Sequence, residues 1–411
     1  MTTAVVRPLW FGRTAALLGI LLLALNIRTA VAALSPIIPR IVEDIPFDSV
    51  GLGFIGMLPP VAFAVSGLVA PLVAKRLGLE STLVLACVAM VAGPLIRAAA
   101  DSYFVLVAGS IVTLAGMGFG NILLPPAVKK YFPDRVGLVT TAYATLLSIS
   151  ATVAPIIAEP VAALAGWRIS VGVWAVLALG AIIPWLVVRI QHAGEKRRDA
   201  DAGIVEEVPA ALVGSIWRSR SAWAITAVFA VSSFGAYAAF AWLPSMLVDL
   251  SGVSATEAGA LLGLFAIMGL PAGLFIPLLA ARMRNISPLI HLGAAFLVVG
   301  YLGLLLFPTT ATWFWVACAG LGPLVFPLCL VLINLRTRTH QASVALSGFV
   351  QSIGYTVGSL GPLLIGVIHD STHGWVVPLV FLAATSLLAS AAALVLAKPT
   401  FVEDEVARRT S

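Results

Sequence analysis

Residues Leu17–Pro39 read LLGILLLALNIRTAVAALSPIIP, an apolar run with one arginine, Arg28, near its middle. The run is long enough to cross a bilayer as a helix, for which about 20 mostly apolar residues are needed. Because a guanidinium stays protonated in proteins, Arg28 would carry its charge to the centre of the bilayer, at a cost of at least ~2.5 kcal/mol. The stretch therefore predicts a first membrane span and requires a partner for that charge.

The composition of the whole chain excludes a water-soluble protein. Of its 411 residues 60% are hydrophobic and only 10% are charged, whereas soluble domains carry about 25% charged residues. The net charge of +6 is spread along the chain, so we expect no nucleic-acid partner. The three cysteines lie in apolar runs at unrelated spacings and indicate packing. We expect neither a metal site nor a cofactor.

Apolar runs of helical length recur along the chain, and the alternation typical of membrane β-barrels is absent. The chain is therefore predicted to be an all-α membrane protein with twelve transmembrane helices. In a continuous first helix Arg28, Ala32 and Ser35 would share one face. The predicted spans are 15–40, 51–74, 79–99, 102–127, 137–160, 167–189, 222–248, 256–281, 287–307, 311–335, 341–368 and 374–397.

The basic residues predict the orientation, because lysine and arginine favour the cytoplasmic side of a membrane. With the N-terminus inside, all but four of the 24 Lys and Arg residues fall on cytoplasmic segments. Arg40, Arg97 and Arg168 fall outside, and Arg28 lies within the bilayer. We therefore expect both termini in the cytoplasm and the chain in the inner (plasma) membrane.

The two halves of the sequence resemble each other. GLVAPLVAKR at Gly67–Arg76 matches GLFIPLLAAR at Gly273–Arg282, and Trp167 pairs with Trp375 at nearly the same offset. This pattern predicts two pseudo-symmetric six-helix bundles, 1–190 and 222–411, joined by a polar cytoplasmic linker, 191–221. Parallel repeats of this kind place a substrate site between the halves near the bilayer midplane.

The position of the acidic residues indicates what Arg28 binds. All 18 lie at or beyond a helix end, so no carboxylate is expected at the midplane. A buried cation without an internal anion is strongly destabilising unless water or a ligand compensates. We therefore expect Arg28 to face a wet central cavity and to bind an anionic or strongly electron-rich substrate. The alternative is that it caps the carbonyls of a neighbouring helix.

Other polar and aromatic side chains at midspan complete the predicted substrate site. Gln351 and Tyr355 continue a polar stripe from Ser347 at a spacing of four residues, which either lines the path or joins helices. Asn26 points away from Arg28, and its alternative role is helix packing. The predicted substrate-binding residues are Arg28, Asn26, Asn121, Tyr143, Tyr237, Trp242, Gln351 and Tyr355. Candidates for proton coupling are Glu159, His369 and Asp370. No Walker, HExxH or GxSxG motif occurs, so an enzyme is not expected.

Three stretches of this chain resemble the cyanate and nitroimidazole permease family, a branch of the major facilitator superfamily. They are LNIRTAVAALSPIIP from Leu25, GMGFGNILLPPAVKKYFPDRVGLVTTAYA from Gly116 and LRTRTHQASVALSGFVQSIGYTVGSLGPLLIGVIHD from Leu335. The resemblance implies a major facilitator fold and alternating access. It assigns motif positions to Asn26, Arg28, Asn121, Gln351, Gly354 and Tyr355. One departure is Lys75, which stands where the superfamily usually has an aspartate.

Together these observations predict a secondary transporter for a small anionic or polar solute, such as a cyanate-like or small organic anion. The alternative is an exporter of small neutral nitroaromatic or drug-like compounds, in which Arg28 acts as a hydrogen-bond donor. A transporter-like sensor would need a signalling domain, for which the short tail leaves no room. Proton symport, anion exchange and uniport remain open, and we expect a monomer in the lipid bilayer.

Overall fold

The computed structural model describes residues 13–47, 49–201 and 216–408. The regular structure in these ranges is helical. The helices are α1 Thr14–Asn26, α2 Thr29–Ala32, α3 Ile38–Asp44, α4 Ser49–Leu77, α5 Leu79–Ala98, α6 Tyr103–Tyr131, α7 Val136–Ala165, α8 Trp167–Gly172, α9 Trp174–Asp201, α10 Arg220–Ser251, α11 Ala255–Ile267, α12 Gly269–Arg282, α13 Ser287–Leu306, α14 Thr312–Leu321, α15 Val325–Leu335, α16 His340–Thr372, α17 Val376–Leu396 and α18 Val402–Ala407.

Twelve helical stretches of the described residues are long and apolar enough to cross a membrane, which confirms the predicted number. The second to twelfth lie where the sequence places them. The central part of the predicted linker, 191–221, falls on residues 202–215, outside the described ranges. The helix before it, α9, extends to Asp201, and the seventh span begins with α10 at Arg220.

The first span is not the single helix that the sequence predicts. The helix α1 ends at Asn26, Ile27 and Arg28 form a turn, and the four-residue helix α2 follows. A short 3-10 helix at Ser35–Ile37 separates α2 from α3. The first span is thus interrupted at Ile27 and Arg28 and again at Ser35. Arg28, Ala32 and Ser35 therefore do not lie on one continuous helix, although the N–H of Ala32 still donates to the carbonyl of Arg28 at 3.0 Å.

The structure repeats one contact at equivalent places in the two halves. The indole Nε1 of Trp167 donates to Oδ2 of Asp44 at 2.9 Å, and that of Trp375 donates to Oδ2 of Asp249 at 2.8 Å. In each half the tryptophan begins the last span and the aspartate follows the first span. This shared contact supports the duplication read from the sequence.

The two bundles meet on one side of the molecule. The long helix α7 of the first half packs closely along α12 of the second half but barely touches α11. A Cβ atom on Gly137 would lie 2.6 Å from Cβ of Ala281, and one on Gly67 would meet Ser352 at 2.6 Å. We call the side of Gly137 and Ala281 the terminal face, because the described chain begins and ends there. The halves separate toward the opposite face.

The C-terminal helix α18 is fastened to the terminal face by Glu405. Its carboxylate accepts hydrogen bonds from the hydroxyls of Ser219 and Ser221, both at 2.6 Å, and from the backbone N–H of Ser221 at 3.0 Å. The hydroxyl of Thr400 donates at 3.1 Å. Burial alone would raise the pKa of the Glu405 carboxyl, but these donors outweigh burial and hold the pKa below its ordinary value.

Replacement of Glu405 by glutamine should loosen α18 in a pH-dependent way. A lowered pKa in the folded state means that the stabilisation is present above the ordinary glutamate pKa of about 4.3 and is lost as pH falls through the folded value. Because part of the carboxylate stays solvated, we expect Glu405→Gln to cost about 1 kcal/mol at pH 7. Thermal unfolding followed by tryptophan fluorescence at pH 7 and pH 4 measures this.

The difference between wild type and Glu405→Gln should shrink at pH 4, because the Glu405 carboxyl of the unfolded chain is then largely protonated and the advantage of the ionised form in the folded state falls. Glu257→Gln is the control, because that side chain is exposed and lies away from α18. An equal difference at both pH values would mean that the contribution of Glu405 does not depend on its charge.

Candidate functional site

Arg28 lies at the break in the first span, and its side chain is half-buried between the two bundles. The guanidinium carbon is 5.5 Å from the ring centre of Phe63 in α4 and 5.9 Å from that of Phe326 in α15. The same group interacts with the hydroxyls of Tyr237 in α10 and Tyr355 in α16. The arginine of the first half is therefore surrounded mainly by aromatic side chains of the second half.

A buried hydrogen-bond network joins the halves beside Arg28. The amide Nδ2 of Asn121 in α6 donates to Oε1 of Gln351 at 2.6 Å and to the hydroxyl of Tyr355 at 2.9 Å. Gln351 in turn donates through Nε2 to Oγ of Ser347 at 2.8 Å, and Ser347 donates to the carbonyl of Ile122 at 2.6 Å. The polar stripe predicted on α16 thus joins helices and reaches Arg28 through Tyr355.

Aromatic rings form the wall around Tyr355. Its ring centre lies 5.1 Å from that of Phe229, 5.3 Å from that of Phe63 and 6.4 Å from that of Tyr237. Phe229 also packs against Phe326 at 5.5 Å. The sequence analysis missed Phe63, Phe229 and Phe326, because a phenylalanine in a membrane helix carries no signal that separates a cavity wall from ordinary packing.

The electrostatics of this cluster favour an anion. None of the ion pairs among the described residues includes Arg28, and its charge is met only by ring faces and hydroxyls. A cation over an aromatic ring gains about 0.5–2 kcal/mol, less than burial of an unpaired charge costs. The hydroxyl of Ser233, one helical turn before Tyr237, is buried without a hydrogen-bond partner. The cluster thus holds one cation whose charge no described carboxylate balances.

Three further predicted residues have other surroundings or no hydrogen-bond partner. Asn26 donates through Nδ2 to the carbonyls of Leu22 at 2.8 Å and Leu177 at 3.3 Å, which ties the first span to the sixth. Tyr143 is buried in α7, and its hydroxyl has no hydrogen-bond partner. Trp242 donates to the carbonyl of Pro362 at 2.7 Å.

Two of the proton-coupling candidates, His369 and Asp370, lie near Trp375. His369 stacks on Trp375, with ring centres 4.0 Å apart, and its Nδ1 lies 3.3 Å from Oδ1 of the exposed Asp370. Both residues are in the last turn of α16, at the face opposite to the termini. Glu159 is part of α7, but its side chain lies outside the described residues. In the described part of the chain, no three His, Cys, Asp or Glu side chains are grouped as metal ligands would be.

Two basic residues have roles that the sequence analysis did not foresee. Lys129 at the end of α6 donates through Nζ to the carbonyl of Asn334 in α15 at 3.1 Å and lies near Glu403 of α18, so it joins the halves at the terminal face. Lys75, where the superfamily usually has an aspartate, is exposed. Arg97, which the sequence analysis counted among the residues on the outer side, is buried within the protein, with only 2% of its surface exposed.

Known proteins share this architecture. The sequence profile of the Major Facilitator Superfamily matches residues 17–359. A 2-nitroimidazole transporter of Escherichia coli (strain K12) is 32% identical, with 90% of this chain and 92% of that protein covered. The cyanate transport protein of the same organism is 22% identical, with 89% and 92% covered. Among solved structures, the human organic anion transporter MFSD10 superimposes with a TM-score of 0.70 at 15% identity, over 92% of this chain and 98% of that one. These matches confirm the predicted fold and a transporter rather than an enzyme.

Gln351 and Tyr355 should respond differently to substitution. Gln351→Ala removes one of the two acceptors of the buried Asn121 amide and the donor to Ser347, so we expect a loss of about 1–3 kcal/mol of stability. Tyr355→Phe keeps the ring contacts and removes only the hydroxyl near Arg28, so it should affect ligand binding more than stability. Ser359→Ala, on an exposed turn of the same helix, is the control. Equal melting temperatures for Gln351→Ala and Ser359→Ala would contradict the assignment of the network.

Proposed function

The chain belongs to the major facilitator superfamily, as its resemblance to the cyanate and nitroimidazole permeases predicted, and we propose that it transports a small anion by means of Arg28. It is a multi-pass membrane protein of a class that moves small solutes by secondary transport. The observation that carries the proposal is the position of Arg28, half-buried between the bundles with hydroxyls and rings but no carboxylate as partners.

A bound anion would supply the missing counter-charge. The planar guanidinium can donate two parallel hydrogen bonds to a carboxylate or similar group. The hydroxyls of Tyr237, Tyr355 and Ser233 would donate further hydrogen bonds. Because such bonds form in a site with little water, they are stronger than on a protein surface. We therefore favour a small organic anion or a cyanate-like anion as substrate.

The site residues come from both halves of the protein, which supports alternating access. Arg28, Phe63 and Asn121 come from the first half, whereas Tyr237 and Tyr355 come from the second half. A rocking motion of the two bundles would therefore open the site to either side of the membrane. The contacts of Lys129 with Asn334 and of Gly137 with Ala281 close the terminal face, so the described state corresponds to an outward-facing transporter if that face is cytoplasmic.

The basic residues support the orientation. The terminal face carries Arg13, Lys130, Arg218, Arg282 and Arg338, as expected for the cytoplasmic side of an inner membrane. Because the three cysteines are buried, single cysteines can be introduced and labelled. An impermeant maleimide added to intact cells should modify Ser371→Cys and leave Arg218→Cys unmodified. The reverse pattern would invert the orientation.

Coupling to protons has weaker support than the site itself. The cluster contains no carboxylate that could take up a proton at the midplane. A proton symporter would have to use Glu159, His369 with Asp370, or the acid form of the substrate. Uptake measured with and without a pH gradient separates symport from exchange and uniport.

A second function is favoured by the aromatic wall. Phe63, Phe229, Phe326 and Tyr355 offer ring faces on which a neutral nitroaromatic compound could stack, and one relative is named a 2-nitroimidazole transporter. In this case Arg28 would donate hydrogen bonds to a nitro group and its charge would be less important. Substitution of Arg28 by glutamine, which keeps donors without the charge, distinguishes the two functions.

Transport by proteoliposomes tests the proposal. We expect uptake of labelled cyanate or benzoate by the native protein. Arg28→Lys should lose about ten- to a hundred-fold in affinity because the bidentate geometry is lost. Arg28→Gln should abolish anion uptake. The ligand-free Arg28→Ala protein should be no less stable than the native protein, because an unpaired buried charge is removed.

Arg168→Gln is the matched control, because that exposed arginine pairs with Asp44 at the opposite face and should leave uptake unchanged. Undiminished anion uptake by Arg28→Gln would contradict the anion proposal. Transport of 2-nitroimidazole by both the native protein and Arg28→Gln, without anion uptake, would favour the neutral-aromatic function.

A further inference from the structure

Arg97 is a second buried arginine without a carboxylate partner among the described ion pairs. It lies in the last turn of α5, and its side chain reaches inward. Its Nε donates to Oγ of Ser110 in α6 at 2.8 Å, and its Nη1 donates to the carbonyl of Ala30 in α2 at 2.9 Å. One side chain thus connects the first, third and fourth spans.

Close packing of α5 and α6 brings the guanidinium to this position. A Cβ atom on Gly109 would lie 2.8 Å from the backbone nitrogen of Arg97, so a larger residue would push the two helices apart. Ser110, the next residue, accepts from Arg97 and donates to the carbonyl of Leu106 at 2.7 Å. The direction of the Arg97 side chain is therefore fixed by its own helix pair.

The carbonyl of Ala30 needs a donor because the first span is broken. The helix α2 ends at Ala32. The described backbone hydrogen bonds include none from the N–H of Leu34 to the carbonyl of Ala30. The carbonyls in the last turn of a helix have no intrahelical partner, and an unpaired buried carbonyl is costly. A charged donor such as arginine gives a stronger hydrogen bond than a neutral one.

We propose that Arg97 is a positioning residue that holds α2 in place and thereby sets the position of Arg28. The proposal rests on the anion-binding function of Arg28. Ala30 is two residues after Arg28, and Asn26, two residues before it, is bonded to Leu177 in the sixth span. The turn that carries Arg28 is thus fixed on both sides by side-chain bonds to backbone carbonyls.

The pair of bonds made by Arg97 explains why arginine is required. Its guanidinium donates to the hydroxyl of Ser110 through one nitrogen and to the carbonyl of Ala30 through another. A lysine could donate to Ala30 but has no second nitrogen for Ser110. Arg97→Lys should therefore keep part of the effect, whereas Arg97→Gln should lose the charged donor to Ala30.

Hydrogen exchange of the full-length protein in detergent tests the first step without any ligand. In Arg97→Gln, peptides covering residues 27–37 should exchange faster than in the native protein, and peptides of the second half should not. The exchange rate of these peptides in Arg97→Lys should lie between those of the native protein and Arg97→Gln. In Arg168→Gln it should equal that of the native protein. Unchanged exchange of residues 27–37 in Arg97→Gln would overturn the proposal.

Kinetics of cyanate or benzoate uptake test the second step. Arg97→Gln should raise KM about ten-fold or more while the maximal rate stays within about two-fold, since Arg28 is displaced but present. In the Arg28→Lys background, Arg97→Gln should add little, because a residue that acts through Arg28 has no separate effect. Faster exchange of residues 27–37 with an unchanged KM would show that Arg97 has a purely structural role. Full additivity of Arg97→Gln with Arg28→Lys would show that Arg97 acts on the substrate directly.

The two tests separate this proposal from the proposed function. Suppose that the native protein transports no anion but that Arg97→Gln increases exchange of residues 27–37. The anion function and the positioning role of Arg97 are then both rejected, and the hydrogen bond between Arg97 and α2 is purely structural. If Arg97→Gln does not fold, the same measurements on Arg97→Lys, with Ser110→Ala as its partner variant, decide the question.

Discussion

The positive charge of Arg28, within the first span and between the two bundles, is the constraint on which the rest of this structure depends. A lone guanidinium in hydrocarbon is unfavourable by several kcal/mol, and it is met here by two ring faces and two tyrosine hydroxyls rather than by a carboxylate. These partners reduce the cost without neutralising the charge. Under the proposed function, an anionic ligand would supply the counter-charge that no described neighbour of Arg28 supplies.

The broken first span follows from the same constraint. A regular helix would fix Arg28 on one face and satisfy its own backbone, whereas the turn at Ile27 and Arg28 leaves carbonyls that need outside donors. Thr29 donates to the carbonyl of Asn26 at 3.0 Å, and Arg97 donates to that of Ala30. The break is therefore held by side chains of its own and of neighbouring spans, and it places the arginine against the second half of the protein.

Much of this arrangement could be predicted from the sequence, because the relevant signals are periodic or rare. The spans follow from the length of the apolar runs, and the duplication follows from the repeated GLVAPLVAKR-type stretches. The site residues were found because they are polar residues within apolar runs: Arg28, Asn121, Gln351 and Tyr355. The break could not be predicted, since neither proline nor glycine occurs at Ile27 and Arg28. The contacts of Arg97 could not be predicted either, because it ends a helix in sequence while its long side chain reaches back into the protein, which only the packing of α5 on α6 reveals.

The direct test of the central claim is the structure of the protein with an anion that can be located without ambiguity. Crystals grown with selenocyanate or 4-bromobenzoate would show the selenium or bromine by anomalous scattering. The account predicts a peak between the bundles, with the anionic group within hydrogen-bonding distance of the Arg28 guanidinium and near the hydroxyls of Tyr237 and Tyr355. An anion bound elsewhere in the protein, while Arg28 keeps the same ring and hydroxyl partners in an anion-free cavity, would contradict it.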